Sequence, residues 1–403
     1  MSPVSRAAVV SCARTPIGRY AGQFAKVEGF QLGALALRGA IDRTVGLQGL
    51  PVDEVVMGCI GQVGPEAYNA RRVALAAGLP VSTPAYNVNR LCGSGLQAIL
   101  GAAQQVQTGQ SRIVVAGGNE SMSSIPFLLP EARLGSKPGD RTLVDGTLAI
   151  LTDPWSGSLM GGTAENVAKR FGVSRQEQDE WSLLSQQRAG AAISSGDLDA
   201  ELVPVEVPGR AGTSNTVTTD EHPRPDVTAD GLAALRPAFA EDGSVTAGNS
   251  SGMNDGAAAT IVMDEVDARA LGAEPMIRLL GWASGALEPE IMGYAPTIAV
   301  QRVLQQLNLT IRDIDVIELN EAFAAQVIAV MRATDMTHDQ VNPYGGAIAF
   351  GHPVGATGAI LTTRIAHFMS SRERELGMVT MCIGGGQALA AVFENCNVDR
   401  SRA

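Results

Sequence analysis

Two distant stretches of the chain share one pattern, in which a glycine-rich turn leads into a helix and the helix leads into a strand that ends in glycines. The first stretch begins at Cys92 and ends with the strand 112–118, and the second begins at His352 and ends with the strand 377–385. An internal repeat of this kind indicates a duplicated fold. Duplicated halves would bring both turns and both strand ends to one shared cleft, where α/β proteins bind their ligands.

The other segments predict the α/β class, because strand-like and helical runs alternate along the chain. The strand-like runs are 7–12, 54–59, 113–116 and 260–263, and the helical runs are 32–44 and 96–108. Residues 122–254 differ, since they consist mainly of loops rich in Gly, Pro, Asp and Thr around one predicted helix pair at 174–194. Ser174 and Glu177 have the spacing of a capping box at the start of that pair. This region is interpreted as an insertion in a protein of two or three domains.

The charge of the chain excludes a nucleic-acid partner. Its formal net charge is −11, and its only lysines are Lys26, Lys137 and Lys169. A basic surface is what binding to DNA or RNA requires. Anionic ligands must therefore be held by arginines, backbone N–H groups or helix N-termini.

The cysteines indicate free thiols in a reducing compartment. Their odd number and wide separation match neither a disulfide framework nor a zinc site. They are Cys12, Cys59, Cys92, Cys382 and Cys396. The N-terminus lacks an apolar signal region and no stretch is long and apolar enough to span a membrane, so a soluble cytoplasmic protein without a metal site is expected.

Cys92 lies in the sequence Asn-Arg-Leu-Cys-Gly-Ser-Gly-Leu-Gln at 89–97, at the predicted start of a helix. Unpaired N–H groups and the helix dipole at such a position stabilise a thiolate, which is the nucleophilic form. Gly93 and Gly95 leave space for a thioester to approach. The alternative is a buried cysteine that acts only as a small apolar side chain.

His352 and Cys382 are the corresponding candidates in the second stretch. His352 lies in a turn with Pro353 and three glycines, where an imidazole could accept a proton from Cys92 or stabilise an oxyanion. Cys382 ends a strand and precedes three glycines, so its thiol could act as an acid or base. A purely structural histidine and a dinucleotide phosphate loop are the alternatives, and the spacing G-x-G-x-x-G of that loop is absent.

Asn320 lies between an apolar strand at 316–319 and an apolar helix, in the sequence Glu-Leu-Asn-Glu-Ala-Phe-Ala at 318–324. Its amide could cap the helix, or it could orient a water molecule in an active site. The residues by themselves leave both interpretations open.

Taken together, these motifs resemble the thiolase family along essentially the whole chain. Further matching motifs are Arg14-Thr-Pro-Ile-Gly18, Gly117-Gly-Asn-Glu-Ser-Met122, Met160-Gly-Gly-Thr-Ala-Glu-Asn166, Arg236-Pro-Ala-Phe239 and Ala247-Gly-Asn-Ser-Ser-Gly-Met-Asn-Asp-Gly-Ala257. Each motif alone is weakly specific, whereas the set in this order is highly specific.

The resemblance implies a role for each candidate. Cys92 would be acylated after His352 activates it, and Cys382 would move the α-proton of the second acyl-CoA. Asn320 would hold a water that forms one oxyanion hole with His352. The backbone N–H groups of Cys92 and Gly384 would form a second hole. The reaction is a reversible Claisen condensation with ping-pong kinetics, in which coenzyme A (CoA) is a substrate and no cofactor or metal is needed.

The resemblance also implies a binding site for CoA. The residues beside the nucleotide and pantetheine parts of CoA would be Arg224, Ala247 and Ser251. The residues that line the tunnel would be Met160, Met292, Phe239 and Phe323. Two positions depart from short-chain members, since Leu159 lies where many acetoacetyl-CoA-type members have histidine and Gly231 lies where some have a serine that contacts CoA. The segment 219–224 is similar to degradative 3-oxoacyl-CoA thiolases, so a 3-oxoacyl-CoA thiolase of fatty-acid β-oxidation is expected rather than an enzyme restricted to acetoacetyl-CoA.

The implied architecture is the thiolase fold, with two duplicated α-β-α-β-α layered halves and an inserted loop domain. The N-terminal domain would comprise residues 1–123 with 255–275, the loop domain 124–254, and the C-terminal domain 276–403. Family members are homodimers or homotetramers, and residues 135–140 lie where tetrameric members form their contact. Two more distant alternatives are a β-ketoacyl synthase and a non-catalytic thiolase-like lipid carrier.

Overall fold

A computed structural model describes residues 6–44, 49, 51–135, 138–209 and 212–398. Lys137 and part of the predicted tetramer segment 135–140 lie outside the described residues. The strands are β1 Ala7–Arg14, β2 Gly18–Arg19, β3 Glu54–Gly58, β4 Ala85–Val88, β5 Ile113–Ser121, β6 Phe127–Leu128, β7 Val144–Asp145, β8 Val205–Pro208, β9 Ser214–Val217, β10 Asn254–Asp264, β11 Ile277–Ala286, β12 Val316–Leu319, β13 Leu376–Ile383 and β14 Gln387–Asn395. The helices are α1 Gly29–Asp42, α2 Asn69–Ala76, α3 Ser94–Gln107, α4 Gly146–Ile150, α5 Met160–Phe171, α6 Arg175–Ser195, α7 Ala229–Ala233, α8 Glu265–Ala270, α9 Pro296–Leu307, α10 Ala324–Thr334, α11 Ala347–Phe350 and α12 Thr357–Ser371.

The main sheet shows the predicted duplication. Its strand order is β12-β13-β14-β11-β1-β10-β5-β3-β4, with β2 beside β10. From the β1–β11 pair outward, β10 corresponds to β14, β5 to β13 and β3 to β12. In each half of the sheet the outer strands pair in parallel, as β5 with β3 and β13 with β12. The strand pairs nearer the centre are antiparallel in both halves. A parallel bridge between Ile317 and Val341 even corresponds to β4 beside β3.

Helices α3 and α12 form the middle of the molecule. Most residues of both helices are buried, which is the pattern of a helix enclosed on all sides. They share one apolar core with strands of both halves. Helices α1 and α2 cover the outer face of the first half, and α9 and α10 cover the outer face of the second. The layers are therefore α-β-α-β-α, and the two halves share the middle layer.

Glycines allow the N-terminal ends of α3 and α12 to touch. A β-carbon at Gly95 would lie 2.8 Å from the backbone nitrogen of Ala359, and one at Gly358 would lie 2.4 Å from that of Leu96. Backbone therefore packs directly on backbone at this crossing. This contact brings the turn that carries Cys92 next to the turn that carries His352.

The region 122–254 contains short strand pairs and four helices, α4 to α7, within its described residues. The prediction of a helix pair at 174–194 is wrong, because α6 runs unbroken from Arg175 to Ser195 and tolerates the internal Gly190. The capping box of Ser174 and Glu177 is confirmed. The preceding helix α5 ends at Gly172 in the left-handed conformation. The domain boundaries proposed above stay a prediction.

Within the described part of the chain, no helix is both long and apolar enough to cross a membrane.

Candidate active site

Cys92 lies in a tight turn immediately before α3, as predicted. Leu91 adopts the left-handed conformation with φ of 48°, and Gly93 is the residue that caps the helix. The Ser94 hydroxyl accepts the N–H of Arg90 at 2.9 Å and donates to the carbonyl of Leu91 at 2.6 Å. These bonds fasten the turn and hold the Cys92 thiol at the end of the helix.

Cys382 lies near the end of β13, before the turn 384–386. Gly385 and Gly386 both have φ of 80°, which favours glycine over residues with a side chain. The side chain of Ile383, just before this turn, packs closely on the Cys92 turn, since a β-carbon at Gly93 would lie 2.4 Å from its Cδ1 atom. The close fit sets the backbone N–H of Gly384 against the thiol of Cys92, and this hydrogen bond favours the thiolate.

His352 is held at three points. Its backbone N–H donates to Oδ1 of Asn254 at 3.0 Å. Its ring Nδ1 lies 2.6 Å from the hydroxyl of Thr357, and its Nε2 lies 3.4 Å from the amide nitrogen of Asn320. Sequence reasoning missed Asn254 and Thr357 as supports, although both lie within motifs that it used.

The Thr357 hydroxyl indicates which ring nitrogen of His352 carries the proton. Thr357 donates to the carbonyl of Pro353 at 3.0 Å, so its oxygen is left to accept a hydrogen bond from Nδ1–H. The nitrogen Nε2, which faces Asn320, then has no proton and can accept one. His352 is therefore arranged as a base at Nε2.

Asn320 does not cap the following helix, so one of the two interpretations left open is wrong. The capping residue of α10 is Phe323, and the amide nitrogen of Asn320 lies against His352 instead. The Oδ1 atom of Asn320 is buried without a hydrogen-bond partner. A buried oxygen of this kind needs a donor, and a water molecule fits the need.

Burial shifts the pKa values of the three ionisable groups of the site, Cys92, Cys382 and His352. Burial raises the pKa of the Cys92 thiol to about 11, and the N–H groups of Gly384 and Cys92 offset it only in part. Burial, with the nearby Cys92 thiolate, raises the pKa of Cys382 well above its ordinary value. Burial lowers the pKa of His352 to about 4. The N–H groups at this turn thus favour the thiolate, as the sequence predicts, but desolvation by burial outweighs them.

A cavity of about 680 Å³ joins these groups. Cys92, His352, Cys382 and Gly384 line it, and Asn320 contacts Nε2 of His352. Every residue predicted for CoA also lines this cavity: Arg224, Ala247, Ser251, Met160, Met292, Phe239 and Phe323. Arg224 is exposed, whereas Phe239 and Phe323 lie deeper and pack edge to face with ring centroids 6.1 Å apart. The two positions that depart from short-chain relatives, Leu159 and Gly231, are on its wall too.

Glu120 supports the site from behind and was not identified from the sequence. Its carboxylate accepts the backbone N–H groups of Ile60 and Gly61 at 3.0 Å and that of Gly355 at 2.9 Å. Burial nevertheless raises the pKa of Glu120 to about 7. Because Gly355 belongs to the His352 turn and Ile60 follows β3, this carboxylate ties the two halves together beside Cys92.

Comparison with known proteins agrees with this arrangement. Residues 7–266 match the family model for the thiolase N-terminal domain, and residues 273–395 match that for the thiolase C-terminal domain. A protein named probable acetyl-CoA acyltransferase from Staphylococcus epidermidis is 44% identical over 98% of this chain and 100% of its own length. Beta-ketothiolase BktB of Cupriavidus necator is 46% identical over 96% of this chain and 98% of its own length.

Solved structures share the fold of this chain over nearly its whole length. The acetyl-CoA acetyltransferase of Bacillus anthracis superposes with a TM-score of 0.95 at 40% identity, over 97% of this chain and 99% of the other. Human mitochondrial 3-ketoacyl-CoA thiolase in complex with CoA superposes with a TM-score of 0.92 at 38% identity, over 97% and 98%. With both family models matched, the fold shared and the two cysteines facing one cavity, this chain belongs to the thiolase family.

Proposed function

We propose that this protein is a 3-oxoacyl-CoA thiolase. It cleaves a 3-oxoacyl-CoA with free CoA to give acetyl-CoA and an acyl-CoA shorter by two carbons, and it catalyses the reverse condensation. The observation that carries the proposal is the convergence of Cys92, His352, Cys382 and Gly384 on one cavity whose other walls are suited to an acyl-CoA.

The first half-reaction makes an acyl-enzyme. The Cys92 thiol transfers its proton to Nε2 of His352, and the thiolate attacks C3 of the 3-oxoacyl-CoA. The C2–C3 bond then breaks, so that the acyl group stays on Cys92 and an acetyl-CoA enolate departs. The thiol of Cys382 gives its proton to C2 of the enolate, which completes acetyl-CoA and leaves a Cys382 thiolate.

The second half-reaction restores the enzyme. The Cys382 thiolate takes the proton of the incoming CoA thiol, and the CoA sulfur attacks the acyl group on Cys92. The bond between the acyl carbon and Cys92 breaks, and the Cys92 sulfur regains the proton held by His352. The raised pKa of the Cys382 thiol suits this role, because the thiolate that it forms is a strong base.

Two sets of donors stabilise the oxygens that become negative. The N–H groups of Cys92 and Gly384 serve the tetrahedral intermediate on the acyl carbon. The protonated His352 and a water held by Oδ1 of Asn320 serve the enolate oxygen. Removal of one such donor typically lowers the rate by about 10² to 10³.

CoA is a substrate in this scheme, and neither a metal nor an organic cofactor takes part. The exposed Arg224 at the mouth of the cavity suits the phosphates of CoA, and the apolar Met160, Met292, Phe239 and Phe323 suit its pantetheine arm. The complex of a human relative with CoA, at 38% identity, supports the same ligand here.

A second candidate is an acetyl-CoA acetyltransferase restricted to acetoacetyl-CoA, which the similarity to the Bacillus anthracis protein favours. A thiolysis assay distinguishes the two, with free CoA and 3-oxoacyl-CoA substrates from C4 to long chains, followed by the loss of enolate absorbance. Efficient cleavage beyond C4 supports the first candidate, and cleavage of acetoacetyl-CoA alone supports the second. Failure to cleave any of them contradicts thiolase activity and revives the lipid-carrier alternative.

We further propose a role in fatty-acid β-oxidation and assembly as a homodimer or homotetramer. Large apolar side chains in the inserted region, Phe127, Leu134 and Leu143, are 61%, 93% and 57% exposed in the isolated chain. Exposed apolar groups of this kind are typical of a surface that another subunit covers. Light scattering coupled to size-exclusion chromatography measures the assembly, and a monomer at micromolar concentration would contradict it.

A further inference from the structure

Trp155 packs against the turn 384–386, although the residue is 69% exposed. A β-carbon at Gly385 would lie 3.2 Å from Cη2 and 3.3 Å from Cζ3 of the indole. The six-membered ring of Trp155 thus occupies the space that a side chain on Gly385 would need. Trp155 is not among the described residues that line the cavity, so its ring contacts the turn from outside.

The turn 384–386 has no side chains with which to hold its own shape. Gly385 and Gly386 both have φ of 80°, and glycine changes its backbone conformation more freely than other residues do. Neighbouring segments must therefore restrain the turn. The carbonyl of Gly386 accepts the N–H of Leu287 at 2.8 Å, and a β-carbon at Gly386 would lie 2.2 Å from the carbonyl oxygen of Leu287. Beside Gly385 the restraining contact is the ring of Trp155.

The loop 152–159 holds Trp155 in this place. The backbone N–H of Asp153 donates to the carbonyl of Ser158 at 2.8 Å, which closes the loop. The carboxylate of Asp153, a residue that is 1% exposed, accepts the backbone N–H of Ser156 at 2.9 Å and the hydroxyl of Ser156 at 2.6 Å. A ring carried by a loop with these bonds is a fixed support for the turn.

The contact matters because Gly384, the neighbour of Gly385, supplies an N–H group to the site. This N–H forms a hydrogen bond with the sulfur of Cys92 and favours the thiolate. In the proposed reaction it also stabilises the oxygen of the tetrahedral intermediate. Such donors are effective when they are already held where the charge will develop. A displacement of Gly385 would move this N–H away from that position.

We propose that Trp155 is a positioning residue of the oxyanion hole, whose ring fixes Gly385 and so aims the N–H of Gly384 at the acyl oxygen on Cys92. Trp155 acts through the turn and touches neither the substrate nor the reacting groups. The effect on catalysis rests on the proposed thiolase function. The effect on the Cys92 thiol follows from the contacts alone.

Thiolysis kinetics of the full-length enzyme test this role. We expect Trp155→Ala to lower kcat about ten-fold, because a displaced donor loses part of the effect of about 10² to 10³ that its removal would have. The loss should be equal for acetoacetyl-CoA and 3-oxooctanoyl-CoA, with KM for CoA within about two-fold of the wild type. Trp155→Phe keeps an aromatic ring and should bring kcat back to within about three-fold. Tyr68→Ala is the matched control, since Tyr68 is 70% exposed and also does not line the cavity, and it should leave kcat and KM unchanged.

A second measurement does not depend on catalysis. The rate of alkylation of Cys92 by iodoacetamide at pH 8 reports the thiolate fraction of this residue. Trp155→Ala should slow the alkylation by about three-fold or more, because the N–H of Gly384 no longer favours the thiolate in full. Trp155→Phe and Tyr68→Ala should react like the wild type.

The inference is overturned if Trp155→Ala keeps the wild-type value of kcat or of the alkylation rate, if its loss lies in KM alone, or if Tyr68→Ala loses as much. A Trp155→Phe enzyme as impaired as Trp155→Ala overturns it too, and so does a changed oligomeric state of Trp155→Ala in light scattering. A wild-type enzyme that cleaves no 3-oxoacyl-CoA contradicts the proposed function, and the alkylation rates then decide the role of Trp155. Circular dichroism verifies that each variant is folded.

Discussion

The hydroxyl of Thr357 and Nδ1 of His352 form a 2.6 Å hydrogen bond within one buried turn. Thr357 also donates to the carbonyl of Pro353, so the bond to His352 uses the oxygen as acceptor. The pair keeps the proton on Nδ1 and leaves Nε2, which faces the amide of Asn320, without a proton. Thr357 thus acts through His352 and is a positioning residue.

Replacement of this hydroxyl should impair proton transfer. We expect Thr357→Val to lower kcat by roughly ten-fold, because a buried Nδ1–H loses its acceptor and the ring loses its preferred tautomer. Thr357→Ser keeps the hydroxyl and should retain most of the activity. Steady-state kinetics at several pH values measures both variants. Equal losses in Val and Ser variants, with no change in the pH profile, would indicate a packing role instead.

The two cysteines should separate by function. Cys92→Ala is expected to lose both half-reactions, whereas Cys382→Ala should still accept an acyl group but should neither make nor break the C–C bond. Mass spectrometry of the intact protein after incubation with acyl-CoA detects the adduct. An acyl adduct that persists in Cys92→Ala would show that another residue is the nucleophile.

The protonation of Cys92 is open to direct measurement. Because burial raises the pKa of this thiol to about 11, only a small fraction is thiolate at pH 7. The rate of its alkylation by iodoacetamide should rise about ten-fold for each pH unit between 7 and 9, as thiolate is the reactive form. Peptide mapping assigns the label to Cys92. A rate that stays level over this range would mean that Cys92 and His352 already form a thiolate–imidazolium pair in the free enzyme.

The crossing of the central helices predicts a steric effect on stability. Gly358→Ala sets a β-carbon 2.4 Å from the backbone of Leu96, so the helices must separate and the free energy of unfolding should fall by about 1–3 kcal/mol or more. Gly190→Ala in α6 is the control, since its β-carbon would lie an ordinary 3.5 Å from Pro225. That change should add about 0.5–1 kcal/mol through helix propensity. Urea unfolding compares the two, and similar values for both would contradict close backbone contact at Gly358.

The reaction scheme needs no metal or added cofactor. We expect thiolysis to proceed at an unchanged rate after dialysis against a chelator and without nicotinamide or flavin. Activity that falls with the chelator and returns with a divalent metal would contradict the scheme.

The sequence by itself determined much of this protein, because those features depend on residues close together in the chain. The alternation of strands and helices predicted the α/β class, and the repeat of glycine turn, helix and strand predicted the duplication that the mirrored strand order shows. The motifs around Cys92, His352 and Cys382 identified the family and gave the candidate site residues, which line one cavity in the structure. The capping box at Ser174 was also predictable from the sequence, since its hydrogen bonds join residues within one helical turn.

Only the tertiary structure decided the properties that depend on distant neighbours. Asn320 could equally have capped a helix, and its contact with His352 exists because the two turns are folded together. The pKa of Cys92 is set by desolvation, which arises from both halves of the molecule and exceeds the local effect of the helix end. The support of the His352 turn by Glu120, and the packing of Cys92 on Ile60, Met122 and Val354, likewise join residues from separate segments. A local sequence pattern cannot predict such burial, because the burial of a residue depends on how distant segments pack around it.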